Sequence, residues 1–137
     1  ARRGEPLSTS ILIYGRDERL LETRRWVLET AGFEVSTTAK PIEVYQTMVA
    51  QHIDLFILCH TLSADEQGIA LATAHALRPE MRNLVLVEDT FESQLDPRDA
   101  ILSAFATPKV LIAAAQTLAG VSAFSRSYLR ALTNAIT

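Results

Sequence analysis

Cys59 and His60 stand side by side, a thiol and an imidazole that could serve as a thiol sensor or as half of a metal site. Neighbouring residues at a strand end point to opposite faces, which keeps the two from acting as one dyad. The plainer reading is a partly buried thiol beside an ordinary histidine. His52 and His75 each stand alone on segments of helical spacing. A metal site needs several converging ligands, so both are expected to be satisfied or solvated, and no metal and no cofactor is expected. Arg16, Glu88 and Asp89 each follow an apolar run by one or two positions. That spacing brings a cation and two acids to one rim and predicts an ion pair between Arg16 and one of the acids; two independent solvated charges are the other reading. Asp17, Asp65 and Asp96 read as helix or turn caps. Gly15-Arg16-Asp17 could receive an anion at a helix N-terminus, but a single glycine is a weak signal. There is no glycine-rich phosphate loop and no nucleophile elbow.

The elements that must position these residues are legible as alternating patterns. Ser10-Ile11-Leu12-Ile13-Tyr14 is apolar on both alternate sets, the mark of a strand buried on both faces. Asp17 then precedes Leu20, Leu21, Val27, Leu28 and Ala31 at helical spacing, with Glu18, Arg19, Glu22, Arg25 and Glu29 opposite and Gly32 at the end. Trp26 falls among those charged residues, either as a partner contact or as a cover over the rim of the core. A second strand is predicted over 33–37. A helix opens near Pro41 with a stripe of Ile42, Tyr45, Met48 and Val49. A third strand is predicted over 54–59 and a helix from about 65 to 77. A fourth strand covers 84–87 and a fifth 99–103, and a helix opens at Pro108. Between the last two strands, Thr90 to Arg98 has room for only a turn or two of helix. Repeated strand–helix alternation implies right-handed crossovers and a parallel sheet with helices on both sides.

The chain has 137 residues, 48% hydrophobic and 21% charged, enough for one domain with a real core. A net charge of −3 carries none of the basic footprint of a nucleic-acid binder. A single cysteine cannot close an internal disulfide, which favours a cytoplasmic compartment. No apolar run approaches the roughly 20 residues a membrane span requires.

With the elements in place, the chain resembles the receiver domains of bacterial two-component response regulators. Ile11 to Asp17 resembles the family's first strand and acidic loop, and Leu20 to Val35 its first helix and second strand. Asp54 to Cys59 resembles the strand that ends in the phosphoacceptor aspartate. The resemblance covers about residues 10–119. It implies a doubly wound α/β fold of the flavodoxin-like type, with five parallel strands in the order 2-1-3-4-5. It also implies a role in phosphorelay signalling. Its chemistry departs at every defining polar position. The acidic, metal-holding pair falls on Gly15 and Arg16, the acceptor on Cys59, the switch hydroxyl on Glu88 and the lysine on Ala104. The proline usually found four residues after the acceptor is Ser63. The expectation is therefore a non-catalytic, degenerate receiver that works through a protein partner, without Mg²⁺ or aspartyl phosphorylation and with a shortened fourth helix. A thiol-based redox role through Cys59 is the alternative.

Three segments are expected: a flexible leader over 1–9, the receiver-like domain over 10–119, and an amphipathic helix or linker over 120–137. In the last, Val121, Phe124, Tyr128, Leu132 and Ile136 recur at helical spacing. That stripe packs on its own domain, packs on a second copy as a dimer helix, or frays as the start of a linker.

Overall fold

A computed structural model describes residues 9–88 and 99–123, with side chains as far as residue 120. Five strands, β1 (Ser10–Tyr14), β2 (Glu34–Thr38), β3 (Leu55–Leu58), β4 (Arg82–Val87) and β5 (Asp99–Ser103), form one sheet in the order β2-β1-β3-β4-β5. Every pairing is parallel, with Ile11 opposite both Val35 and Leu55. This is the parallel sheet that the alternation implied, in the flavodoxin-like strand order that the resemblance implied. The two central strands β1 and β3 are almost wholly buried, as their unbroken apolar runs require.

Four helices are described: α1 (Glu18–Thr30), α2 (Pro41–Ala50), α3 (Ala64–Leu77) and α4 (Pro108–Ala123). They cover both faces of the sheet. On one face, α1 and α4 pack Leu21, Leu28, Leu111 and Ala115 on Ile11, Ile57 and Leu84. On the other, α2 and α3 pack Val44, Met48 and Ala70 on Leu12, Phe56 and Leu58.

Local chemistry explains the helix ends. Asp17 caps α1, its carboxylate accepting from the amides of Arg19 and Leu20 at 3.0 and 3.3 Å. Gly32 follows the helix with φ of +99°, where a residue with a Cβ would be strained. α2 opens on Pro41. α3 is capped by Ser63 and not by Asp65, which sits inside the first turn. The Ser63 hydroxyl accepts from the Glu66 amide and the Glu66 carboxylate accepts from the Ser63 amide, a reciprocal capping box.

The stripe expected on α2 needs correction. In α2 the buried face is Val44 and Met48, while Ile42, Tyr45 and Val49 are exposed. The helix is apolar on more than one side, so spacing alone did not choose the inward one. α4 runs through Gly120 to Ala123, past the boundary drawn at 119/120. The leader as far as residue 8, the short helix over 90–98, Asp89, Asp96, Phe124, Tyr128, Leu132 and Ile136 lie outside the described residues. Among the described residues, no helix is long and apolar enough to cross a membrane.

Candidate functional site

Parallel α/β sheets gather their functional groups at the carboxyl ends of the strands. Here that rim collects Gly15 and Arg16 after β1, Cys59, His60 and Thr61 after β3, Glu88 after β4 and Ala104 after β5.

Gly15 and Cys59 are packed against each other. The Cys59 amide donates to the Tyr14 carbonyl at 2.9 Å, which draws the two loops together. A Cβ placed on Gly15 would lie 2.9 Å from the Cys59 Cβ, 3.0 Å from its Sγ and 3.2 Å from the Thr61 Oγ1. Cys59 is 1% exposed and belongs to the core cluster under α1 and α4. Burial pushes its thiol pKa up, against the pull of the nearby Arg24 guanidinium. A reactive thiolate needs the opposite balance and access to solvent.

Arg24 itself was not singled out in the sequence. It lies in α1 between Leu21 and Leu28 at i+3 and i+4, on the apolar stripe, and that position was the available signal. The residue is buried, and its Nη2 donates to the Ala104 carbonyl at 3.2 Å. Its Nη1 has no hydrogen-bond partner. A guanidinium thus reaches the corner after β5 from α1, a different element from the one that would carry the lysine implied by the resemblance.

Arg16 pairs with Glu66, not with Glu88. Strand order is the reason. β3 lies between β1 and β4, so Glu88 is two strand spacings away from Arg16, about 10 Å. Glu66 sits on the first turn after the adjacent strand. The Arg16 amide also donates to the Thr61 hydroxyl at 2.9 Å, tying the β1–α1 loop to the β3–α3 loop. Arg16 and the Ser63 amide hold the Glu66 carboxyl at a pKa of about 2. Glu88 instead lies 3.8 Å from His60 Nε2. The His60 ring is tilted against Phe105, with centroids 6.1 Å apart, and its buried Nδ1 has no hydrogen-bond partner.

His52 and His75 are not isolated. His52 lies just beyond α2, 2.7 Å from the buried Asp54, whose other oxygen accepts from the Ser10 amide. His75 lies 3.0 Å from Asp99, which also accepts from Asn83 Nδ2 at 2.9 Å. Both pairs sit at the amino ends of the strands, away from the rim, where they satisfy buried carboxylates. Among the described residues, no cluster of three or more His, Cys, Asp and Glu side chains could hold a metal ion. Trp26 is 65% exposed on the outer face of α1.

No family model matches the chain, and no curated protein matches it in sequence. Solved structures match it in shape. A response regulator receiver protein from Sinorhizobium medicae aligns with a TM-score of 0.73 at 20% identity, over 84% of this chain and 97% of that one. The fold is the receiver fold. A receiver domain protein from Methanospirillum hungatei gives a TM-score of 0.70 at 22% identity, over 82% of this chain and 94% of that one. The receiver domain of a sensor histidine kinase from Pseudomonas aeruginosa, which holds a magnesium ion in its active-site cleft, gives 0.72 at 15% identity, over 84% and 100%. At these identities the likeness is one of fold. The rim of this chain keeps the receiver frame and fills it with an apolar Gly15–Cys59 contact, an Arg16–Glu66 pair and a guanidinium brought from α1.

Proposed function

We propose that this chain is a receiver-like signalling module of the two-component type that works through protein contacts and does not accept a phosphoryl group on an aspartate. Receivers need two acids to hold Mg²⁺, a carboxylate nucleophile, and cations to offset the charge of the transferred group. The observation that carries the proposal is the fit of Cys59 against Gly15. The acceptor position holds a buried thiol, and the position beside it has no room for a side chain of any kind. Arg16, at the other metal-ligand position, repels a divalent cation and spends its charge on Glu66. The Arg16–Glu66 pair and the Arg24 guanidinium at the β5 corner share the rim where a receiver carries the groups that respond to phosphorylation.

Intact mass spectrometry after incubation with acetyl phosphate and Mg²⁺ tests this. The expected result is an unchanged mass. A stable, Mg²⁺-dependent gain of one phosphoryl group overturns the proposal.

A further inference from the structure

Helices α2 and α3 leave an apolar groove between them at the surface. Pro41, Tyr45, Ile69 and Thr73 wall it over a floor of Val44 and Ala70, with a volume of ≈ 160 Å³. That is below the roughly 300–1,000 Å³ of small-molecule sites and suits one or two inserted side chains. Ile42, Tyr45 and Val49 form a single i, i+3, i+7 stripe on α2 and are 58%, 49% and 58% exposed; Ile69 across the groove is 67% exposed. Of these, Tyr45 and Ile69 line the groove itself, and apolar side chains left exposed beside a groove are what a docking surface offers.

The sequence supplies a matching element. Beyond Ala123 the helical spacing continues through Phe124, Tyr128, Leu132 and Ile136, one residue per turn on one stripe. Residues 121–137 contain Arg126 and Arg130 and no acid; around the groove Glu66 is already paired with Arg16, and Lys40 and Arg78 cap α2 and α3, so charge does not choose the occupant. On a helix the two arginines fall across from the apolar stripe, which leaves the stripe to make the contact.

Geometry decides whose groove is filled. α4 starts at the carboxyl rim and runs back about 24 Å, so Ala123 lies at the amino end of the sheet, on the α1 face. The groove opens at the carboxyl end, beside Tyr14, Pro41 and Glu66, on the other face. From Ala123 the chain's own groove therefore lies on the opposite face and at the opposite end of the sheet. We infer that residues 124–137 of one copy dock as a helix in the α2–α3 groove of a second copy, and that the protein is an exchanged homodimer. This deepens the reading of the domain as a contact module: a monomer that takes no phosphoryl group would sink the docking and leave that reading standing.

The test uses the full 137-residue chain. Light scattering should give twice the 15.1 kDa chain mass. Ile69→Glu and Tyr128→Glu should each return it to the single-chain mass with an unchanged far-ultraviolet circular dichroism spectrum. Ile69 is solvent-exposed, so its change leaves the fold intact. Ile69→Cys combined with Leu132→Cys should then form a disulfide between chains on mild oxidation, seen as a doubled mass without reductant; Cys59 is buried and takes no part. A disulfide within one chain, a wild-type protein of single-chain mass, or a dimer that survives both glutamate variants overturns the inference.

Discussion

The Cβ of Cys59 lies 2.9 Å from the place where a Cβ on residue 15 would stand, so Gly15 and Cys59 are one packing unit. Each residue's identity is set by the other. Glycine at 15 leaves the space that the Cys59 side chain fills, and no side chain fits there while that side chain remains.

Gly15→Ala should therefore destabilise the domain by about 1–3 kcal/mol, the usual cost of overpacking a closed site. In a Cys59→Gly background the same change should cost less than half as much, because two of the three close contacts are gone. Urea midpoints of the four proteins measure the coupling. Equal costs in both backgrounds would show that the clash lies elsewhere.

Glu66 has a folded-state pKa near 2 against an ordinary value of 4.5. A depressed carboxylate adds stability above its unfolded pKa, and that stability disappears as pH falls from about 4.5 through 2. Wild type should lose stability in that window, and Glu66→Gln should lose less. The hydrogen bond from Arg16 is the larger cause, so the Glu66 carboxyl in Arg16→Met should titrate closer to its ordinary value. Carbon-detected NMR titration reads this directly.

Arg24 lowers the Cys59 pKa while burial raises it. Removing the guanidinium leaves burial unopposed, so Arg24→Met should move the thiol pKa further upward. Ultraviolet absorbance of the thiolate against pH follows it. A downward shift would mean that the guanidinium does not act on the sulfur.

Asp99 accepts from both His75 and Asn83, with its side chain 1% exposed. Asp99→Leu would leave the buried Asn83 amide without that acceptor, a loss of about 1–3 kcal/mol. The thermal or urea midpoint should drop accordingly, and Asp99→Asn, which keeps an acceptor, should recover part of it.

The sheet was legible because β1 and β3 are apolar on both alternate sets, a pattern that only a central parallel strand satisfies. The inward face of α2 was not, because Ile42, Tyr45 and Val49 compete with Val44 and Met48 for the core. At the rim, Gly15, Arg16 and Cys59 were identified as altered positions, but their contacts were not. The partner of Arg16 follows from strand order: β3 is the neighbour of β1, so a group at the start of α3 outcompetes one after β4. Arg24 escaped notice because charge argued for solvent while its position on the stripe argued for the core.

The Arg16 amide bonds Thr61, its side chain bonds Glu66, and Glu66 bonds the Ser63 amide, which joins two loops and the first turn of α3 into a closed ring. In hydrogen exchange the amides of Arg16 and Ser63 should gain and lose protection together, as a single local opening unit. The loop after β1 and the start of α3 therefore share one kinetic fate, although 45 residues separate Arg16 from Thr61 along the chain.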